Sequence, residues 1–201
     1  MKLKKIASIC GKRKMVEICH VGKEQYIGNE YALYLVPPDL KLTRENTLVV
    51  FDVAEKKRDD WFINFSVPSQ FDFSDVIDGE EQAEIYPFNL VCGESEYCII
   101  HGDSEIVMID TEYLSPLADL NEGMSFCIRT AKDGRKYVAI KEGLWLCAVI
   151  TSFNQIVIKR NFVNQLADLT MECKNWFKEN GEEKQEEGQV WIDPLTGEVK
   201  D

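Results

Sequence analysis

Apolar residues in this chain fall mainly into short alternating runs broken by Gly, Asn and Asp, a pattern of strands and tight turns. Helical spacing is confined to a few places. Leu3, Ile6, Ala7 and Cys10 recur at i, i+3, i+4 and i+7, which predicts a short helix over 2–10 stopped by Gly11. Residues 15–21 then read as a strand turned by Gly22-Lys23. Residues 25–27 and 31–36 read as a hairpin around Gly28-Asn29 that Pro37-Pro38 ends.

Thr43 is a predicted helix cap with Glu45 in the first turn. The run Leu48-Val49-Val50-Phe51 is compatible with a strand. The strong helix formers from Ala54 to Arg58 favour one continuous helix instead. A strand over 61–67 follows, and then a Pro-, Asp- and Gly-rich connector over 68–82 that carries Phe71 and Phe73. Short strands are predicted near 84–92, 96–101 and 105–109, and a short helix over 113–120 with Pro116 in its first turn. Residues 124–131 and 136–141 form a hairpin around Asp133-Gly134, and 144–152 is the most apolar strand. The clearest helical pattern is 161–180, where Phe162, Leu166, Leu169, Cys173 and Trp176 share a face between Asn161 and Asn180-Gly181.

These elements predict an α+β fold of antiparallel sheets with three or four helices on one side. The expected domain covers 1–180, followed by a flexible charged tail over 181–201 that ends on an apolar stretch around Trp191. A faint echo suggests two pseudo-similar halves, 1–67 and 84–180, meeting near 68–82. Ile27-Gly28-Asn29-Glu30 and Gly102-Asp103-Ser104-Glu105 each precede a strand and a helix.

Charge changes the picture in one place. The chain of 201 residues carries a formal net charge of -12, which favours solubility and on average repels phosphate. Residues 1–14 nevertheless hold Lys2, Lys4, Lys5, Lys12, Arg13 and Lys14 and no acid. A basic segment on an acidic body is a candidate phosphate contact, and Lys2, Lys5, Lys12, Arg13 and Lys14 are the candidate nucleic-acid-binding residues. The bland alternative is the lysine of an ordinary amphipathic surface helix. The seven dispersed cysteines lie mostly among apolar neighbours, as buried free thiols of a reducing compartment do. The longest apolar run is too short to span a bilayer and no secretory h-region follows the first lysines, so the expected location is the cytoplasm.

Catalytic chemistry finds little footing. Cys92, Cys98 and His101 lack the two tight ligand pairs of structural zinc, and no metal site is expected. Gly93-Glu94-Ser95-Glu96-Tyr97 lacks the second glycine of a nucleophile elbow and leads into a strand. Phosphate-loop and dinucleotide fingerprints are missing, so no cofactor is expected. Asp72, Asp75, Asp78, Glu80 and Glu81 read as a solvated acidic loop. His20 and His101 are the two imidazoles; a pocket placing either beside a carboxylate would favour an enzyme. The expectation is a protein that is not an enzyme.

Two resemblances give these features a setting. The stretch from Tyr26 to Tyr34 and the ending Asp193-Pro194-Leu195-Thr196-Gly197-Glu198 resemble proteins of prophages and conjugative elements in anaerobic Gram-positive bacteria, which implies no particular activity. Residues 97–152 resemble one domain of a bacterial DNA sliding clamp. The matching pieces are Glu105-Ile106-Val107-Met108-Ile109-Asp110, the Tyr113-Leu114 helix start, the strand at 124–129, the Asp133-Gly134 hairpin and the strand ending Val149-Ile150. That resemblance covers about a quarter of the chain and contains no peptide-pocket residue of the clamps. It implies helices facing DNA and sheets outside, a clamp-like or accessory role in DNA replication or mobile-element maintenance, DNA and replication proteins as partners, and ring closure by a homo-oligomer. The other expectation is a protein–protein adaptor without nucleic-acid binding, working through the connector or the apolar end of the tail.

Overall fold

A computed structural model describes residues 1–117 and 123–153, together with the backbone of 191–192 and 199–200. The chain divides into two units, Met1–Gln155 and Ile156–Asp201. In the first, the α+β expectation holds: ten strands form one mostly antiparallel sheet with helices packed on it. In chain order the elements are α1 (Leu3–Gly11), β1 (Met15–Val21), β2 (Glu24–Gly28), β3 (Ala32–Leu35), α2 (Arg44–Val50), a 3₁₀ helix (Glu55–Asp60) and β4 (Phe62–Phe65). Then come β5 (Glu81–Cys92), β6 (Ser95–His101), β7 (Ile106–Asp110), a second 3₁₀ helix (Thr111–Leu117), β8 (Met124–Thr130), β9 (Lys136–Glu142) and β10 (Trp145–Thr151). In the second unit, β11 (Trp191–Ile192) pairs antiparallel with β12 (Val199–Lys200) inside the segment expected to be a tail. The predicted helix over 161–180 lies outside the described residues.

The sheet runs β4-β1-β2-β3-β10-β9-β8-β5-β6-β7. At its centre are two three-stranded antiparallel meanders, β1-β2-β3 and β8-β9-β10, each preceded by a helical segment. They join through their third strands, with Tyr34 opposite Ala148 and Ala32 opposite Ile150. The helical segments also meet. The Lys2 amide at the start of α1 donates to the Pro116 carbonyl at 2.8 Å, and Tyr34 Oη donates to the Tyr113 carbonyl at 2.7 Å. β5 pairs with β8 through Ala83 and with β6 from Glu84 onward. Its register shifts between Ile85 and Asn89, where Pro87 has no amide to give the ladder. The Phe153 amide donates to the Met108 carbonyl at 2.8 Å, so the chain leaving β10 covers part of the outer edge of β7.

Alternation along the strands buries both faces. Val16, Ile18, Ile27, Tyr34, Ile128, Val138, Ile140, Ala148 and Ile150 face a core closed by Ile6 and Cys10 of α1, Leu48 of α2 and Leu117. Cys19, Tyr26, Leu33, Cys127, Ala139 and Val149 face the other side, which the connector covers with Phe71 and Phe73. At about 1.5–3 kcal/mol per large apolar side chain, those two phenylalanines contribute substantially to holding the connector down.

Two local expectations change. The predicted 43–58 helix is two elements. Thr43 caps α2 in a capping box with Asn46, as its sequence suggests. The helix then stops at Phe51, because Asp52 takes a left-handed φ of 57° and the Asp52 and Val53 amides bond back to Val49 and Leu48. This is a Schellman ending with aspartate in the place of the usual glycine. The described part of the predicted 113–120 helix belongs to a 3₁₀ helix, Thr111–Leu117, and 118–122 lie outside the described residues. The Tyr26–Tyr34 stretch has a structural explanation. A Cβ on Gly28 would sit 1.9 Å from the Ala32 carbonyl oxygen, and Asn29 Oδ1 accepts from the Tyr31 and Ala32 amides. The β2–β3 turn demands those two residue types.

Candidate functional site

The predicted basic residues sit on and just after α1. Ile6, Ile9 and Cys10 are its buried face, which leaves Lys4, Lys5, Ser8 and Lys12 exposed. Lys2 lies at the cap. Lys5 projects with no ion-pair partner among the described residues. The other three are engaged. Lys12 reaches Glu112 on the second 3₁₀ helix, Arg13 pairs with Glu30 and lies 4.9 Å over the Tyr31 ring, and Lys14 meets Asp60 at 2.8 Å. Their side chains are 53–64% exposed, so these pairs are weak and salt-screened, and a phosphate oxygen can compete for them. The structure therefore gathers Lys12, Arg13 and Lys14 into a strip shared with three acids.

The acidic connector departs most from its sequence reading. Glu80 is no solvated residue. Its carboxylate receives Arg129 Nε at 2.8 Å and Nη2 at 2.6 Å, and Lys141 Nζ bonds the other oxygen. Arg129 has a side chain of 0% exposure and spends its remaining donors on the carbonyls of Asp72, Ser74 and Asp75 at 2.8–3.1 Å. Asp75 Oδ1 accepts the Leu146 amide at 2.9 Å. Burial alone would raise the Glu80 carboxyl, but the hydrogen bonds and charges of Lys141 and Arg129 outweigh it and hold the carboxyl below its ordinary range. The connector is thus clamped to β8, β9 and β10 by ions as well as by phenylalanines. Arg129 and Lys141 sit in alternating strands where no motif marks them. The one available signal is a pair of cations at inward positions of otherwise apolar strands.

A second glutamate lies under the same face with the opposite balance. Glu17 on β1 has its Oε2 buried with no hydrogen-bond partner. Burial, and then the charge of Glu30, raise its carboxyl above the usual range.

Other candidates separate in space. Cys98 faces the core while His101, three residues along β6, faces the other way against Tyr86, with ring centroids 4.4 Å apart. Among the described residues no group of three His, Cys, Asp or Glu is placed to hold a metal. No described helix is long and apolar enough to cross a membrane. His20 and Glu24 both line a trough of about 430 Å³, where the His20 ring meets Gln25 Nε2 at 3.1 Å. Glu24 accepts the Tyr26 hydroxyl at 3.0 Å, and the lining contains no Ser, Thr or Cys to act as a nucleophile. Gln25 braces the wall of the trough by donating to the Leu42 carbonyl at 2.7 Å and accepting the Leu42 amide at 2.9 Å. A second hollow of about 390 Å³ runs along the connector beside Tyr137 and Lys132.

No family model, no curated protein and no solved structure matches this chain.

Proposed function

We propose that this chain is a non-enzymatic, sliding-clamp-like accessory protein that acts on DNA. The observation that carries the reading is the duplicated plan of the first unit. Twice, a helical segment is followed by a three-stranded antiparallel meander. The two meanders join at β3 and β10, and the two helical segments lie side by side on one face. The resemblance of residues 97–152 to a clamp domain, which implies helices toward DNA and sheets outside, supports reading the repeated plan as two clamp-like halves. In the proposal the helical face meets the duplex, with Lys2, Lys5, Lys12, Arg13 and Lys14 supplying the phosphate contacts. Contacts of this kind position a duplex without reading its sequence. A ring closes only by self-association, so assembly is the property to measure.

The decisive experiment is the absolute mass of the reduced protein in solution, followed by retention on DNA. A discrete oligomer that stays on closed-circular DNA through a salt wash, and slides off when the circle is cut, is the expected result. A strict monomer across concentration overturns the ring.

A second reading, a protein–protein adaptor, is favoured by a specific observation. Leu144 and Trp145, adjacent at the β9–β10 turn, are 74% and 64% exposed. Adjacent large apolar residues at a tight turn are the kind of exposed anchor that protein partners bury.

A further inference from the structure

We propose that the trough bounded by Trp145 is a docking site for a short acidic peptide carrying one bulky apolar side chain. The inference rests on the adaptor reading and is independent of DNA contact.

The β9–β10 turn has Glu142 opposite Trp145, which leaves Gly143 and Leu144 as its two loop residues, Gly143 with a left-handed φ of 60°. Such turns normally carry polar residues. Here Leu144 and Trp145 project instead, and Trp145 forms one wall of the trough. The floor is apolar: Leu35 and Val36 from the end of β3, then Pro37 and Leu40. Prolines at 37 and 38 and the Gln25 bridge to Leu42 hold this segment in place without a ligand, so little ordering entropy is lost when one binds. A volume of about 430 Å³ suits one large side chain and its flanking backbone.

The rim selects the partner. Lys23 and Lys41 are both exposed, and neither has an ion-pair partner among the described residues. Glu24 is turned to the Tyr26 hydroxyl. On a chain of net charge -12, two lysines against the single carboxylate of Glu24 leave the rim beside the exposed tryptophan net positive around an apolar seat. A peptide with carboxylates flanking an aromatic or aliphatic anchor complements both. A basic peptide would meet the acidic body of the chain and lose the rim.

The test is selection of short peptides from a displayed random library on the full chain. Selected peptides are then measured by fluorescence polarisation against the wild type, Trp145→Ala and the double reversal Lys23→Glu with Lys41→Glu. All three positions are exposed, and far-UV circular dichroism confirms that the variants keep their fold. The expected result is enrichment of a bulky apolar residue next to Asp or Glu. Binding should weaken by roughly tenfold or more in Trp145→Ala, and the charge reversal should weaken it several-fold and invert its salt dependence, so that added salt strengthens what binding remains. Peptides that bind Trp145→Ala as well as wild type would overturn the trough while leaving an adaptor. A solution mass that falls in Trp145→Ala would assign the surface to a second copy and overturn the peptide. Failure to enrich any peptide would overturn the peptide trough, and the adaptor reading would then rest on folded partners alone.

Discussion

The connector and the N-terminal segment both depend on charge, and they use it in opposite ways. Under the connector, Glu80, Arg129 and Lys141 are taken out of water, with side chains 15%, 0% and 6% exposed. Each charge there is paired and each guanidinium donor has an acceptor. At the N-terminus the same kinds of pairs stand in solvent. The first set is structural because removing one member strands the others in low dielectric. The second is exchangeable because water and salt already compete with it. Charge in a sequence signals function only where the fold leaves it free to change partners.

The largest test of this contrast is Arg129→Met. It removes the one group that binds Glu80 and three connector carbonyls at once, and leaves a buried carboxylate beside Lys141 alone. Breaking a buried pair in this way costs about 3–5 kcal/mol. Urea unfolding should show that loss, with new protease cleavage in 68–80. A variant within about 1 kcal/mol of wild type would mean that Phe71 and Phe73 hold the connector unaided, a limit their burial sets.

The two glutamates sharpen the comparison through pH. Glu80 is held below its ordinary range, so its contribution is complete above the unfolded-state value near ~4.3 and is lost as pH falls through the lower folded value. Glu17 is raised, so its contribution is complete below ~4.3 and is lost as pH rises through the higher folded value. Glu80→Gln should therefore destabilise the protein at neutral pH and flatten the acid limb of its stability curve. Glu17→Gln should stabilise it at neutral pH, with the gain vanishing below about pH 4. Equal and parallel curves for the two variants would refute the assignment of one as paired and the other as stranded.

What the sequence made legible follows the same division. Strands β1, β2, β3, β8, β9 and β10 are readable because a period of two with Gly turns is a local signal, and the Thr43 cap is readable for the same reason. The end of α2 is not, since Asp52 adopts a conformation usually signalled by glycine. Glu80 reads as a solvated acid because its partners lie 49 and 61 residues away, and no local pattern announces an ion pair made across a sheet. The basic residues are visible as a cluster. Their acidic partners Glu30, Asp60 and Glu112, spread over three other segments, are not. The trough shares that limit: Trp145 and the Leu35–Leu40 segment are distant in the chain and meet only because β3 pairs with β10.

The smallest expected effect on stability is the sharpest test of function. Substituting Lys12, Arg13 and Lys14 by alanine together removes three exposed pairs, and the melting temperature should not move measurably. If these residues bind phosphate, DNA affinity should fall for every sequence alike, and the slope of log affinity against log salt should shrink by about one for each phosphate no longer neutralised. The paired acids make a further distinction. Replacing Glu30, Asp60 and Glu112 with their amides leaves the three cations without competitors, so a phosphate-binding strip must gain affinity from that change. A strip that serves only to join α1 to its neighbours gains nothing. A chain in which neither triple variant alters DNA retention would move the function away from the helical face and onto the trough at Trp145.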